Sequence, residues 1–159
     1  MMSSRLSKLI ISGSILLTSM TALSHDAASD AGNQAIEYRH SVYHVIGWNV
    51  SPMHAMVDGK KAYDAAAFTK HANRVAALAP MLLEGFPPGS YIKGKTEAKE
   101  NVWTQRAEFE ALLKKFETRS TNLATVSQSG DLTKIKPAYT ELVQVCKDCH
   151  EKFKEKDRD

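Results

Sequence analysis

Apolar side chains recur in alternating steps of three and four residues through the last part of the chain. The pattern is typical of one face of an α-helix, and its members are Leu132, Ile135, Tyr139, Leu142, Cys146, Cys149 and Phe153. Because the steps continue across Pro137, they predict one kinked helix rather than two. A helix with a single apolar face must bury it against partners, so this segment favours folds in which helices pack on helices.

Three earlier segments also have a helical period. In residues 34–57 the stripe consists of Ile36, Arg39, Tyr43, Ile46, Val50, Met53 and Val57. A second helix is predicted to begin after Asp64, a good N-cap, with Tyr63 and Phe68 as a hydrophobic staple. A third is expected from Asn101 or Thr104 to near Gly130, and Asp131 can cap the last helix. With one longer loop at 84–100 and no convincing strand, the pattern predicts an all-α, antiparallel four-helix bundle.

The N-terminus has the three parts of a secretory signal peptide. Arg5 and Lys8 precede an uncharged run from Leu9 to Leu23, and small residues end it at Ser24. The alternative is a membrane anchor, but about 15 residues are fewer than the roughly 20 that span a bilayer. We therefore expect a cleaved signal at 1–24, a single mature domain at 25–159, export to the periplasm of a bacterium, and no membrane attachment after cleavage.

Charge points to no nucleic-acid partner. Removing Arg5 and Lys8 from the 21 basic residues leaves 19, against 18 acidic residues. A mature chain so close to neutrality shows no electrostatic footprint for nucleic-acid binding.

The two cysteines, Cys146 and Cys149, lie on the apolar face of the last helix, and His150 follows them. C-x-x-C-H is the attachment signature of c-type haem. Two thiols form thioethers with the two vinyl groups of one porphyrin, and the adjacent imidazole can ligate the iron. The sequence thus predicts one covalent haem c, held by Cys146, Cys149 and the axial ligand His150.

Three other interpretations fit these cysteines less well. A thioredoxin-like redox pair typically lies at a helix N-terminus after a strand, whereas this pair is deep in a final helix. A zinc site needs four ligands, and the chain has no second cysteine pair. A disulfide across three residues would constrain the unfolded chain very little.

Two residues of the first helix are unusual on an apolar stripe. Arg39 is costly in a core unless it is paired, and a haem propionate would suit its guanidinium. Tyr43 lies one turn further along. From spacing alone, Arg39 could equally extend to solvent and Tyr43 could be ordinary core.

The mature chain resembles the cytochrome c′ family, the class II c-type cytochromes. The resemblance is carried by AIEYRHSVYHVIG at 35–47, GKKAYDAAA at 59–67, EGFPPGS at 84–90, Val102-Trp103, Gly130-Asp131-Leu132 and CKDCH at 146–150. The position of C-x-x-C-H on the last helix, with a Tyr-Arg pair on the first, makes the match quite specific.

The resemblance implies a left-handed bundle, usually a homodimer, with a five-coordinate, high-spin iron ligated by His150 alone. By the family pattern Arg39 contacts a propionate, Tyr43 closes the opposite iron face, and Phe86, Trp103 and Phe116 line the haem. Two departures stand out. His40 replaces a frequent Gln beside a propionate, and Lys154 replaces a frequent Arg near the proximal face, where it lacks the guanidinium fork.

The function expected from this resemblance is binding of small gases, NO and CO, for NO binding or detoxification, with Tyr43 as a distal gate and electron transfer as a further possibility. The alternative is a six-coordinate electron carrier with an unknown periplasmic redox partner. Met53 and Met56 are poorly placed as sixth ligands, and His40 and His44 flank the stripe. We expect no enzyme beyond weak or incidental reactivity with NO or peroxide.

Dimerisation is expected through the first helix, where Tyr38, Val42 and Val45 form a second apolar strip. Packing of this strip against the neighbouring helix of the same chain is an equally good interpretation.

Overall fold

The computed structural model describes the backbone of residues 21–156 and the side chains of residues 30–156. Most of the predicted signal peptide, residues 1–20, lies outside this range. In chain order the elements are α1 (Thr21–Val57), α2 (Ala65–Leu78), a 3-10 helix (Ala79–Gly85), α3 (Asn101–Thr104), α4 (Arg106–Ser127) and α5 (Leu132–Phe153). The four long helices α1, α2, α4 and α5 confirm the all-α four-helix bundle.

Contacts between the helices leave one edge of the bundle open. Within the described range the backbone of α1 packs closely on α2, that of α2 on α4, and that of α4 on α5, while α1 and α5 lie further apart and meet through side chains such as His54 and Tyr139, whose rings stack with centroids 6.2 Å apart. Over the same residues no strand forms, and the sole β-type pairing is an isolated bridge between Ala98 and Lys154. The space between α1 and α5 is where the candidate site lies.

The predicted helix boundaries at α2 and α5 are confirmed by their caps. The Asp64 carboxylate accepts a hydrogen bond from the Ala67 backbone N at 3.0 Å, and the Tyr63 and Phe68 rings pack with centroids 6.1 Å apart. Asp131 accepts from the Thr133 backbone N at 2.9 Å. Each cap satisfies a backbone N–H that has no partner within its helix.

Two helix boundaries differ from the prediction. The first helix begins at Thr21 rather than near Gln34, because residues 21–33 include many Ala and no Pro, and Ala has the highest helix propensity. The third is divided, since Gln105 has φ −114° and ψ 41° and so separates α3 from α4. The single last helix is confirmed, because α5 runs through Pro137 without a break.

The inward face of α1 is rotated slightly from the predicted stripe. From Ile36 onward its buried positions are Ile36, Arg39, Val42, Ile46, Asn49, Met53 and Met56, whereas Tyr43, Val50 and Val57 are only partly buried. Tyr43 therefore stands at the border of the core, beside the open edge.

The predicted apolar strip on α1 is mostly packed within the chain. Val42 is buried, and the Tyr38 hydroxyl donates to Glu84 Oε2 at 2.6 Å, on the 3-10 helix. For these two residues, packing within the chain is the correct interpretation. Val45 alone of the three is exposed, and Trp48 lies beyond it on the same helix, also exposed.

Among the described residues, no helix combines the length and the apolar character that crossing a membrane would require.

Candidate functional site

A cavity of about 440 Å³ lies between α1 and the end of α5. One wall is the α1 face from Arg39 to Trp48, and the opposite wall is formed by Cys149, His150, Phe153 and Lys154. The remaining wall comes from the connection before α4 and from α4 itself, through Phe86, Thr96, Glu97, Ala98, Val102 and Phe109. The cavity thus brings together residues that are more than a hundred positions apart in sequence.

The C-x-x-C-H segment occupies the last turns of α5. Cys149 and His150 line the cavity, and Cys146 lies one turn earlier, half-buried against the core. Both thiols are free, and burial raises the pKa of each to about 11. Redox-active and nucleophilic cysteines have lowered pKa values, so the electrostatics disfavour a thioredoxin-like pair.

Tyr43 faces this segment from α1. Its ring meets the Phe86 ring edge-on, with centroids 6.2 Å apart and an interplanar angle of 89°. Burial raises the pKa of its hydroxyl well above the ordinary value, and the Cys149 and Cys146 thiols add to the effect. Tyr43 is therefore a neutral phenol beside the cysteines.

Arg39 is 3% exposed, yet no carboxylate among the described residues forms an ion pair with it. Its guanidinium carbon lies 5.0 Å from the Phe86 ring centroid and 5.5 Å from that of Trp103. Burial lowers its pKa from the usual value. One atom, Nε, is buried without a hydrogen-bond partner, so the site holds a positive charge and a spare donor at the cavity wall.

The two departures from the family pattern both lie on the cavity. His40 is exposed on the α1 wall, and His44 lines the same wall one turn later. Lys154 Nζ lies 3.4 Å from Glu97 Oε2, and the backbones of Lys154 and Ala98 form the isolated bridge. The end of α5 is thereby joined to the segment that precedes α3.

Two predicted aromatic residues are placed behind the cavity rather than on it. Trp103 packs on Phe86 with centroids 6.0 Å apart, and its Nε1 donates to Pro87 O at 3.0 Å. Phe116 is buried in the core of α4 and is absent from the cavity wall. Their direct contact with a haem stays a prediction.

Sequence reasoning did not assign Val102, Phe109 and Phe153 to the site, although all three line the cavity. Phe109 packs against both Phe86 and Phe153, with centroids 4.8 and 5.2 Å apart. Phe109 and Phe153 belong to the predicted apolar stripes, but a stripe does not distinguish residues facing a cavity from residues facing another helix.

The residues present fit a covalent haem. The walls are largely apolar and aromatic, a thiol and an imidazole stand at one side, and a buried guanidinium with an unused N–H can bind an anionic group. Over the described range no cluster of three or more His, Cys, Asp or Glu side chains is arranged to hold a metal ion.

Comparison with known proteins gives one consistent result. A family model described as Cytochrome C′ matches residues 34–154. A cytochrome c′ from Rubrivivax gelatinosus is 38% identical over 122 residues, which are 77% of this chain and 95% of that protein.

Solved structures of the same family superpose on the bundle. The nitric oxide complex of the L16A mutant of cytochrome c prime from Alcaligenes xylosoxidans is 25% identical, with a TM-score of 0.73 over 79% of this chain and 97% of that one. A cytochrome c′ with an unusual ligand-controlled dimer dissociation is 27% identical, with a TM-score of 0.72 over the same shares of both chains. The sequence match, the bundle and the C-x-x-C-H segment at its cavity together establish that this chain belongs to the cytochrome c′ family.

Proposed function

We propose that this chain is a periplasmic haem protein that binds small gases, NO and CO, at a five-coordinate, high-spin iron. Family membership implies a covalently bound c-type haem. One haem would be held by thioethers from Cys146 and Cys149, with His150 as the axial ligand. When bound, the haem supplies an iron with an open coordination position; the chain's own residues decide what reaches that position.

The observation that carries the proposal is the position of Tyr43. It lines the same cavity as His150 and belongs to the opposite wall, where a neutral phenol packed on Phe86 offers steric closure. Met53 and Met56, the thioether side chains late in α1, are fully buried and do not line the cavity. Neither methionine is therefore placed to act as a sixth ligand.

The likeness to a cytochrome c prime solved as its nitric oxide complex supports NO as a ligand. We propose NO binding or detoxification as the role, with electron transfer as an accompanying property. Reactivity with NO or peroxide would be weak and incidental.

Absorption spectra of the oxidised and reduced holoprotein test the coordination state. The proposal requires a high-spin spectrum in both states. Sharp alpha and beta bands in the reduced protein would indicate a sixth protein ligand and would contradict it.

The second candidate is a six-coordinate electron carrier. His40 and His44 favour it, since both imidazoles line the cavity wall and imidazole is a good iron ligand. If the spectrum is low-spin, His40→Ala and His44→Ala identify the ligand, because only the ligating variant would become high-spin.

Export and assembly complete the proposal. Mass spectrometry of the mature protein should give a chain that begins near His25, with one haem attached.

We propose a homodimer whose contact includes the exposed part of α1, where Val45 is 46% and Trp48 74% exposed. A related family member with ligand-controlled dimer dissociation supports this. Val45→Glu, at a position outside the cavity wall, should yield monomers in sedimentation, and an unchanged dimer would exclude this surface.

A further inference from the structure

The connection at residues 85–96 forms part of the cavity wall but has little internal structure. It begins with the last residue of the 3-10 helix and contains few hydrogen bonds of its own, such as Ser90 N to Pro87 O at 3.3 Å and Lys95 N to Ile92 O at 3.0 Å. Gly89 and Gly94 have φ values of 78° and 85°. A segment of this kind depends on contacts from neighbouring elements to keep one conformation.

Arg39 supplies those contacts with all of its terminal donors. Nη1 donates to Gly85 O at 2.9 Å and to Ser90 Oγ at 3.2 Å. Nη2 donates to Ser90 O and to Thr96 Oγ1, both at 2.9 Å. A guanidinium has five N–H groups, four of them on the two terminal nitrogens. All four N–H groups on Nη1 and Nη2 therefore bond to this connection, and only Nε–H remains for an anionic group in the cavity.

Ser90 is the buried partner that makes the arrangement possible. It is 1% exposed, and its hydroxyl donates to Pro87 O at 2.8 Å while it accepts from Arg39. Its carbonyl accepts a second bond from the same guanidinium. A buried hydroxyl is costly without partners, and here each of its bonds connects the segment either to itself or to α1.

The backbone approach at Gly85 is an independent sign of docking at this point. A Cβ atom at Gly85 would lie 2.6 Å from Arg39 Cβ and 3.1 Å from Arg39 Cα. Contacts below 3.0 Å are not tolerated without movement, so the segment meets α1 where only glycine fits.

Phe86 links the contact between Gly85 and α1 to the cavity. It directly follows Gly85, lies under the Arg39 guanidinium, and packs edge-on against Tyr43. Arg106 Nη1 donates a hydrogen bond to the Phe86 carbonyl oxygen at 2.7 Å. The connection thus runs from Arg39 through Gly85 and Ser90 to Phe86 and Tyr43.

We infer that Arg39 is a positioning residue, which fixes the 85–96 segment and through Phe86 holds Tyr43 in place, with Ser90 as its buried acceptor. The inference rests on the proposed function for its effect on gas entry. It differs from a role confined to a propionate, because the terminal nitrogens are committed to the protein.

The test is the double variant Ser90→Ala/Thr96→Val, which removes two acceptors but retains the Arg39 charge. In the holoprotein, backbone amides of residues 86–96 should exchange hydrogen for deuterium about tenfold faster, since each lost bond contributes roughly the energy of a typical internal hydrogen bond; Ala98 is left out because its N–H itself donates to Thr96 Oγ1. The CO association rate of the ferrous protein should rise several-fold. The redox potential should stay near that of the wild type.

Lys95→Ala is the matched control. Its Nζ bonds Asn33 Oδ1 at 3.2 Å in an exposed contact between the same segment and α1, and its loss should alter neither exchange nor CO association. Unchanged exchange in the double variant would overturn the inference, as would faster exchange with an unchanged CO rate. Failure of the wild type to bind CO would refute the proposed function, and the exchange result would still decide whether Arg39 fixes the segment.

Discussion

Arg39 joins the cavity wall to α1, because its terminal donors bind Gly85, Ser90 and Thr96. Those acceptors are 46 to 57 positions away, so no periodicity along one helix reveals them, and the contact of Arg39 with a propionate stays a prediction. Cys146, Cys149 and His150 instead form a local motif, so their chemistry could be predicted from spacing alone.

Tyr43→Ala should increase the CO association rate of the ferrous holoprotein about tenfold. A ligand would no longer have to displace a ring whose aromatic contact is worth about 0.5–1.5 kcal/mol, and about 1.4 kcal/mol corresponds to a factor of ten in rate. Flash photolysis of the CO complex measures the rate. Ser41→Ala, exposed on the same helix but outside the cavity wall and the proposed dimer contact, should leave it unchanged, and an equal rate in Tyr43→Ala would remove Tyr43 from the gating role.

At the scale of the elements, the sequence predicted the helices better than the connections. Asp64, Asp131, Gly130 and the apolar periods are local signals, and the structure places the caps where they were expected. The boundary at Thr21 was not predicted because it lies within the expected signal peptide, and the one at Gln105 was not predicted because no residue there is a strong start or stop signal. The course of residues 85–96 depends on contacts with α1, so sequence could give only its length.

Asp64→Ala should lower the free energy of unfolding by about 1 kcal/mol, the typical value of a lost N-cap. The variant leaves the Ala67 backbone N without its acceptor at the start of α2. Chemical denaturation measures the change. Asp64→Ser retains an oxygen that can accept the same bond, and a comparable loss in that variant would mean that capping is not the cause.

Gly85→Ala and Ser41→Ala form a matched pair with different expected effects. At Gly85 the new Cβ would press on the α1 backbone at Arg39, and such overpacking costs about 1–3 kcal/mol. Ser41 is exposed on α1, outside the cavity wall, and its hydroxyl donates only to the Glu37 carbonyl of the same helix, so alanine should change the free energy of unfolding by no more than about 0.5 kcal/mol. Unfolding free energies that fail to separate the two variants would contradict the docking of Gly85 on α1.

For the molecule as a whole, helical periods and turn signals sufficed to predict the four-helix bundle. They could not give the unequal packing of its edges, which leaves a cavity between α1 and α5. That packing depends on the rotation of α1, which places Arg39 and Val42 inward and Tyr43 at the border. A rotation of a few tens of degrees lies within the tolerance of any apolar stripe.

The stability of the whole bundle should depend on pH through His71. Its Nδ1 lies 3.0 Å from Oδ1 of the buried Asn49 on α1, and burial lowers its pKa, with Arg74, Lys61 and Lys70 adding to the effect. The unfolded chain therefore takes up a proton near pH 6.5, while the folded protein takes it up only at lower pH. Stability should fall as pH decreases through this window.

Unfolding free energies measured between pH 7.5 and pH 5 check this expectation. His71→Gln retains a polar group that can pair with Asn49 but does not titrate. The difference between wild type and variant should therefore change with pH in the stated direction. A constant difference would show that His71 has the same pKa in both states.

We propose that the haem iron of this protein keeps an open position for a small gas. Addition of CO to the reduced, purified holoprotein, followed by the shift of its main absorption band, is the decisive measurement. An open position should give a complete spectral change that saturates at one CO per haem. A spectrum that remains that of the reduced protein at saturating CO would contradict it and would favour a six-coordinate electron carrier.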